Sequence, residues 1–453
     1  MTTILSKNND VGASVGKADN APSSPKRNFS NRNEFWYDYY AGYSPAFVRE
    51  IISRLKLQPG DTVMDPWIGS GTTARAAQEA NIHTVGFDIN PVMIVVTKAG
   101  CLEISPLVDS VTPVGKDIIK KARRSILKKT NSRDPLLTWF DQETTLQIRK
   151  VERGIRSNFP EIGTLSSKLQ INQWSTISDT AAFFYTALFC TVRSMLHPFE
   201  GSNPTWIKTP SSANELISNP GDICILFEQS VEFLRDRLYT LSQRREQALA
   251  VSTTFQVASS LAMPQQSLSI DAVISSPPYC TRIDYATATK PELAVLGIDF
   301  ESEFDLLRSC MIGTNSINVS TPLPQSVWGE SCNEFLGKVQ EHSSKASKTY
   351  YWKYFVQYFD GISRSLVEID RILKRNCACV LVVQDSYYKE LHNNLPLIYT
   401  EMGNQIGWEV ESQWDFTWDR SMANINPRSR EYRRTISTIE SAIIFRKRSR
   451  NAI

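Results

Sequence analysis

One segment of the chain, D-P-W-I-G-S-G-T-T from Asp65 to Thr73, places a glycine turn directly before a predicted helix. Glycine allows a ligand to approach the main chain closely, and the free N–H groups of the helix start point at whatever lies over the turn. Asp88 ends the next predicted strand, where a carboxylate can accept two hydrogen bonds from a ribose diol. The segment has neither a G-x-G-x-x-G fingerprint nor a P-loop lysine. The pattern therefore favours a nucleoside that is not held through a diphosphate.

A second segment, D-A-V-I-S-S-P-P-Y from Asp271 to Tyr279, has a predicted strand that ends abruptly in two prolines and an aromatic ring. Proline offers a carbonyl but no N–H, so Ser276 and the Pro277 carbonyl supply acceptors beside the ring of Tyr279. Two acceptors can take both protons of an exocyclic amino group while the ring that carries it stacks on the tyrosine. Either segment alone is a common kind of turn. Together, each at the end of a predicted strand, they indicate one site.

The elements that must position these segments alternate between strands and helices. Apolar runs predict strands at 62–64, 83–87, 254–258, 271–275 and 377–383, and a closing hairpin near 408–416 and 437–446. Helical spacing predicts helices at 72–80 and 351–373, and at 44–57 with Ser44 as N-cap and Pro45 in the first helical position.

A strand, a glycine turn, a helix, a strand and a terminal acid within about 30 residues form the first half of a nucleotide-binding βαβ unit. We therefore predict an α/β fold, with a Rossmann-like, doubly wound, mostly parallel sheet, a C-terminal antiparallel hairpin and a mainly helical insertion. Residues 31–100 and 254–453 are predicted to form the core domain, and 101–253 the helical insertion, with helices at 116–129, 143–157, 178–196 and 223–248. Residues 281–350 are a predicted second insertion, and residues 1–30 a disordered leader.

With both segments in place, the sequence resembles the amino-methylating DNA methyltransferases, which transfer a methyl group from S-adenosyl-L-methionine to an exocyclic nitrogen of a base. The motifs D-P-x-x-G-S-G-T-T and S-P-P-Y, at Asp65–Thr73 and Ser276–Tyr279, carry the resemblance. Tyr39–Pro45 resembles the segment that packs over the methionine end of the cofactor, and Phe87–Pro91 the ribose-binding strand end. Glu440–Lys447 is similar to the last core strand of the family.

The resemblance implies that residues 31–100 and 254–453 form the catalytic domain, and no metal is expected. It also implies a set of site residues. The residues implied to bind S-adenosylmethionine are Tyr40, Asp65, Pro66, Gly69, Ser70, Gly71, Thr72 and Asp88. Those implied to form the catalytic pocket are Ser276, Pro277, Pro278 and Tyr279. Family members usually carry an acid after the third strand that contacts adenine. That position falls here at Ser259-Ser260, so a hydroxyl or main-chain group is expected in its place.

The implied mechanism is direct displacement. Hydrogen bonds from the target amine to Ser276 and the Pro277 carbonyl draw the nitrogen toward sp³ geometry and stabilise its developing positive charge. The base must leave the duplex, and Tyr279 replaces its lost stacking. Serine at the first pocket position is the usual form for N4 of cytosine and Asp or Asn for N6 of adenine, so cytosine is favoured and adenine is the alternative. Attack on C5 of cytosine needs a cysteine directly after a proline, whereas Tyr279 separates Pro278 from Cys280.

Basic residues supply candidates for DNA contact. Lys120 and Arg124 belong to the strongly basic predicted helix at 116–129, which suits phosphates, and Arg282 follows the catalytic motif closely. A solvated helix face is the alternative for the first two residues. For Arg282 the alternative is a local salt bridge with Asp284.

Composition limits the class of protein. The 453 residues are 41% hydrophobic and 21% charged, as in an average globular chain, which excludes a wholly disordered protein or a collagen. No run approaches the roughly 18 apolar residues of a membrane span, and no secretory signal is visible, so a cytoplasmic protein is expected. With 50 Lys and Arg against 47 Asp and Glu, nucleic-acid binding is permitted but not required. The eight cysteines include no C-x-x-C pair and signal no zinc site.

Three functions remain open at this point. The favoured one is a sequence-specific methyltransferase of double-stranded DNA in a restriction–modification or related defence system, with a cognate restriction endonuclease as candidate partner. A methyltransferase of an RNA base amine is the second, because the pocket cannot distinguish the two sugars. A catalytically silent DNA-binding protein is the third, and the intact motif residues argue against it.

Overall fold

The computed structural model describes residues 21–26, 36–39, 42–102, 108–163, 171–201, 207–243, 251–280, 283–317, 320–418 and 438–448. The strands within these ranges are β1 (Thr62–Asp65), β2 (His83–Asp88), β3 (Thr253–Val257), β4 (Ile270–Ser275), β5 (Leu373–Gln384), β6 (Ser386–Tyr388), β7 (Leu391–Asn393), β8 (Trp408–Trp418) and β9 (Thr438–Lys447).

Seven of the described strands form one sheet in the order β3-β2-β1-β4-β5-β9-β8. The first five run parallel, and β9 lies antiparallel to both β5 and β8. From β1 the chain winds outward in one direction to β3, and from β4 in the other, so the winding reverses between β1 and β4. In doubly wound sheets such a switch point opens a crevice at the carboxyl ends of the strands. The predicted mostly parallel sheet with its antiparallel C-terminal hairpin is confirmed.

The described α-helices lie on both faces of the sheet and form the insertions. They are α1 (Pro45–Arg54), α2 (Thr72–Glu79), α3 (Pro91–Gly100), α4 (Val108–Arg123), α5 (Gln142–Asn158), α6 (Asp179–Met195), α7 (Ile223–Ser242), α8 (Tyr285–Ala288), α9 (Lys290–Val295), α10 (Glu303–Cys310), α11 (Glu330–Glu341), α12 (Trp352–Ile372) and α13 (Leu395–Gln405).

Local chemistry accounts for several helix starts. Ser44 caps α1 by accepting a hydrogen bond from the main-chain N–H of Phe47, and Pro45 takes the first helical position, as predicted. Asn90 and Pro91 repeat this arrangement at α3, which the sequence analysis did not identify. The helix predicted at 116–129 instead begins at Val108, with Pro113 in its second turn, and ends at Arg123. Arg124 therefore lies one residue beyond the helix.

Alternate residues of β5 supply the two faces of the sheet. Cys379, Leu381 and Val383 pack with α11, α12 and α13, whereas Val380 and Val382 pack on the side of α1 and α2. Both sets are buried, because a parallel strand in the middle of a doubly wound sheet is covered on both sides. The predicted buried strand at 377–383 is therefore confirmed.

The helical insertion packs into a core that it shares with its surroundings. Apolar residues of α4 to α7 form one buried cluster with α3 and with α9 and α10 of the second insertion. An ion pair reinforces this junction: Arg193 of α6 binds the buried Glu292 of α9, which also accepts a hydrogen bond from the Tyr37 hydroxyl at 3.0 Å. The two predicted insertions are thus in direct contact. In the described part of the chain, the helices are all too short or too polar to cross a membrane.

Candidate active site

A cleft of about 940 Å³ opens at the carboxyl ends of β1, β2, β3 and β4, at the switch point of the sheet. Both motifs contribute to its walls. The residues predicted for the site that line it are Pro66, Gly69, Ser70, Thr72, Asp88, Ser276, Pro277, Pro278 and Tyr279. The two segments that the sequence analysis assigned to one site therefore face one cavity.

The remaining predicted site residues lie elsewhere or outside the described ranges. Asp65 and Gly71 are next to the cleft but do not line it. Lys120 and Arg124 are exposed at the end of α4, on the helical insertion. Tyr40 and Arg282 lie outside the described residues.

Asp65 is buried beneath the cleft, where donors of the protein itself occupy its carboxylate. Thr73 donates to Oδ2 at 2.6 Å, Ser275 to Oδ1 at 2.5 Å, and the main-chain N–H of Trp67 to Oδ1 at 3.1 Å. Burial raises the pKa of Asp65 to about 6, and these hydrogen bonds oppose the rise. These hydrogen bonds connect Asp65 to both segments, and its predicted contact with the cofactor stays a prediction.

Gly69 and Gly71 shape the turn in different ways. Both have positive φ, +52° and +83°, in the left-handed region that favours glycine. A Cβ on Gly71 would lie only 3.0 Å from Thr97 Cγ2, so this glycine allows α3 to pack against the turn. A Cβ on Gly69 would meet no atom closer than 3.8 Å. Gly69 therefore leaves its main chain accessible from the cleft.

Asp88 lies half-buried at the end of β2, facing the cleft. It accepts hydrogen bonds from the main-chain N–H of Gly69 at 3.2 Å and of Asn90 at 2.9 Å. Burial raises the pKa of Asp88 to about 7, and both hydrogen bonds work against this rise. These bonds connect the carboxylate to the glycine turn, so that the two parts of the cofactor motif form one wall.

Hydroxyl groups stand where the family carries an acid after the third strand. Ala258, Ser259 and Ser260 line the cleft directly after β3. The hydroxyl of Ser260 lies 2.8 Å from that of Ser365, which donates to the carbonyl of Gly361. Since the proton of Ser365 is committed, Ser260 donates to Ser365 and keeps its lone pairs for another donor.

Aromatic residues of the N-terminal part cover the glycine turn. Tyr39, Gly42 and Tyr43 line the cleft beside Gly69. Because Thr73 donates to Asp65, the Tyr43 hydroxyl donates to Thr73 Oγ1, and the carbonyl of Ile274 lies 3.3 Å from the same hydroxyl. Tyr43 therefore ties this segment to both motifs, in agreement with the resemblance of Tyr39–Pro45 to the family's covering segment.

Ser276 is oriented by the neighbouring strand. Its hydroxyl donates to the main-chain carbonyl of Val382 on β5 at 3.3 Å. A serine hydroxyl has one proton and two lone pairs. Because its proton is donated to the Val382 carbonyl, the Ser276 hydroxyl presents only lone pairs to the cleft and acts there as an acceptor.

Three other elements hold the Pro-Pro-Tyr loop. The main-chain N–H of Tyr279 donates to the hydroxyl of Tyr285 at 2.9 Å, and the carbonyl of Pro278 accepts from Tyr358 at 2.9 Å. The hydroxyl of Tyr279 lies 3.3 Å from Oε1 of Glu440 on β9. Cys280 is buried against Asn393 and so has a packing position, as expected.

Several lining residues carry no signal in the sequence. Tyr285, Met311 and Ile312 reach the cleft from the second insertion. Asp284 forms a salt bridge of 2.5 Å with Arg308, and caps α8 through the N–H of Thr287. Asp284 thus forms a local salt bridge with Arg308, while its alternative partner Arg282 lies outside the described residues. Among the described residues, His, Cys, Asp and Glu form no group that could hold a metal ion.

Comparison with known proteins agrees with these motifs. A family model described as a DNA methylase, of the N6 and N4 type, matches residues 17–98. Type II methyltransferase M.BsoBI of Geobacillus stearothermophilus is 25% identical over 307 residues, 64% of this chain. The aligned part spans 58% of that relative, less than two thirds of its length. Type II methyltransferase M.AvaI of Nostoc sp. is 21% identical over 415 residues, 83% of this chain and 79% of the relative.

Among solved structures, the rRNA methyltransferase aviRa from Streptomyces viridochromogenes matches 90% of this chain and 86% of its own. The sequence identity is 10% and the TM-score 0.27, too low to bear on function. The residues that the family model matches include the motif Asp65–Thr73. These matches support the resemblance of this chain to the amino-methylating DNA methyltransferases.

Proposed function

We propose that this chain is a sequence-specific DNA methyltransferase that transfers a methyl group from S-adenosyl-L-methionine to the exocyclic N4 of cytosine in duplex DNA. Its biological setting is restriction–modification or a related defence system, in line with the type II methyltransferases to which it is similar. The observation that carries the proposal is the common cleft of Asp88, Gly69 and Ser276–Tyr279.

The lining of the cleft suits S-adenosylmethionine in chemistry. Asp88 offers carboxylate oxygens at the position of a ribose diol, and the main chain at Gly69 is accessible. Pro66, Ser70 and Thr72 complete the proposed cofactor wall. The lone pairs of Ser260 suit the amino group of adenine, in place of the family's acid.

The other half of the cleft suits a flipped base. When bound, S-adenosylmethionine supplies an electrophilic methyl group attached to a sulfonium. Ser276 and the Pro277 carbonyl accept hydrogen bonds from the two N–H groups of the target amine, which raises the nucleophilicity of the nitrogen lone pair. Pro278 and Tyr279 continue the wall, and the ring of Tyr279 takes over the stacking lost when the base leaves the duplex. Holding donor and acceptor in one cleft converts an encounter in solution into a positioned reaction.

In the adenine-specific form, Asp or Asn accepts a hydrogen bond from the target amine. The hydrogen bond from Ser276 to Val382 supports a neutral hydroxyl in this acceptor role. A committed proton leaves only acceptor capacity, which is what an amino group requires. Cytosine N4 is the base we favour, because serine occupies this position. Adenine N6 is the alternative, since an acceptor of this kind serves either amine.

Incubation with methyl-labelled S-adenosylmethionine and varied nucleic acids tests the proposal. After digestion, mass spectrometry of the nucleosides should find the label in N4-methyldeoxycytidine from duplex DNA, confined to one sequence. Label in N6-methyldeoxyadenosine would move the activity to the alternative base. Label in RNA alone would replace the substrate class, and no label in any nucleic acid would favour the catalytically silent protein.

A further inference from the structure

A buried carboxylate outside both motifs touches the catalytic tyrosine. Glu440 lies near the start of β9, at the same edge of the sheet as the cleft, and is 5% exposed. In the sheet it pairs with Gln384 on β5 and Phe416 on β8, neither of which is charged. Its Oε1 lies 3.3 Å from the hydroxyl of Tyr279, which donates to it. Such a group costs free energy to bury unless it is hydrogen bonded, so its placement here calls for a reason.

The two main-chain hydrogen bonds of the loop and this contact restrain different parts of the structure. Tyr285 and Tyr358 fix the path of the main chain at Tyr279 and Pro278. Both bonds are made to main-chain atoms, and neither acts on the ring of Tyr279 itself. The bond to Glu440 is at the far end of the ring, where an acceptor restrains rotation of the ring.

We propose that Glu440 is a positioning residue for Tyr279, holding its ring in the orientation in which the target base stacks on it. This inference rests on the proposed function, because the ring has a base to receive only if the protein flips one. Glu440 itself contacts neither the base nor the cofactor in this account. It acts by restraining the ring before the base arrives, which reduces the ordering required at binding.

The charges around Glu440 give the role a pH dependence. Burial raises the pKa of Glu440 to about 7, while the hydroxyl of Tyr279 and the positive charge of Lys26 lower it. Lys26 comes from the segment that pairs with Tyr43 beside the cleft. Above pH 7 the ionised carboxylate is the stronger acceptor, and below pH 7 the protonated form is weaker. The restraint on Tyr279 should therefore weaken as the pH falls through 7.

Four variants test the role: Glu440→Ala, Glu440→Gln, Tyr279→Phe and the double variant Tyr279→Phe/Glu440→Ala. Glu409→Gln is the matched control, because Glu409 is exposed at the opposite end of the same sheet. Each protein is measured for single-turnover methyl transfer at pH 6 to 8.5, for affinity toward S-adenosylhomocysteine, and for its urea unfolding midpoint.

We expect Glu440→Ala and Tyr279→Phe each to slow transfer about tenfold, since each removes a charge-assisted hydrogen bond. The double variant should be no slower than either single variant, because both remove the same contact. Glu440→Gln should stay within about threefold of the wild type and lose the change of rate around pH 7. Affinity for S-adenosylhomocysteine should be unchanged throughout, and Glu409→Gln should match the wild type.

Multiplying effects in the double variant, or a wild-type rate for Glu440→Ala, would overturn the positioning role. Equal losses of rate and S-adenosylhomocysteine affinity would also overturn it, since they would indicate general damage to the fold. If the wild type labels no nucleic acid, the proposed function fails first. The unfolding midpoints then decide on the contact itself: coupled shifts for Tyr279 and Glu440 confirm the bond, and independent shifts contradict it.

Discussion

Asp65 Oδ1 accepts a 2.5 Å hydrogen bond from the hydroxyl of Ser275, which joins the first residue of one motif to the residue just before the other. The two residues end β1 and β4, the neighbouring strands on either side of the switch point. Thr73, at the end of the first motif, donates to the other oxygen of the same carboxylate. One buried acid therefore links the segment proposed to bind the cofactor to the segment proposed to bind the base.

Replacing Asp65 with alanine should lower the free energy of unfolding by about 2–4 kcal/mol, because two hydroxyls and the N–H of Trp67 lose a buried acceptor. Urea unfolding followed by circular dichroism measures the loss. Asp117→Ala is the control, since Asp117 forms an exposed pair with Lys121 on α4. A stability equal to that of the wild type would remove the proposed link between the motifs.

Asp88→Ala should weaken binding of S-adenosylmethionine roughly 10–100-fold, because the diol loses a charged acceptor. The pKa of Asp88, raised to about 7 by burial, adds a pH signature. The hydroxyl donors favour the ionised form, so affinity should be constant above pH 7 and fall below it, by up to about tenfold per pH unit. Asp88→Asn should show no such fall. Calorimetric titration at pH 5.5 to 8.5 measures both effects, and an unchanged affinity in Asp88→Ala would contradict the assignment.

Ser276→Ala should reduce turnover about 100-fold while leaving cofactor affinity within about twofold, because the hydroxyl acts on the amine and not on the cofactor. Single-turnover rates and S-adenosylhomocysteine binding separate the two. Ser53→Ala serves as control, since Ser53 is exposed on α1 and does not line the cleft. An equal loss of rate and affinity would show that Ser276 supports the whole cleft.

The double variant Lys120→Gln/Arg124→Gln tests whether the exposed end of α4 contacts phosphates. If it does, DNA binding should weaken for every sequence, and the slope of log K against log salt should fall by about 2. Lys56→Gln is the matched control, because Lys56 precedes β1 at the opposite edge of the sheet. A slope unchanged from the wild type would assign Lys120 and Arg124 to a solvated helix face.

Much of the core could be predicted because its signals are local. Short segments predict the strand ends at Asp65, Asp88 and Ser276, because their glycines, prolines and acids are typical of residues that follow a strand. The closing hairpin followed from its apolar alternation and formed as β8 and β9. These features depend on neighbours in sequence, and the structure has them within a few residues of the predicted positions.

The rest could not be predicted because it depends on contacts between distant segments. Glu440 and Tyr279 are 161 residues apart in the sequence, and no pattern around either residue predicts their contact. Arg193 and Glu292 likewise meet only because the two insertions pack together. The hydrogen bonds that Asp65 accepts from Ser275 and Thr73 also join residues of different segments. The sequence predicts the element that carries each of these residues, whereas tertiary packing determines which residue it contacts.

A crystal structure of the protein with S-adenosylhomocysteine and a duplex that contains its methylated sequence would test the shared cleft most directly. We expect the ribose diol beside Asp88, the target base stacked on Tyr279, and the exocyclic nitrogen within hydrogen-bonding distance of Ser276. In that arrangement the nitrogen and the sulfur should be separated by little more than the length that a methyl group spans in transit, about 3–4 Å. A cofactor bound outside the cleft, or a target base held many ångströms from Ser276, would contradict the account.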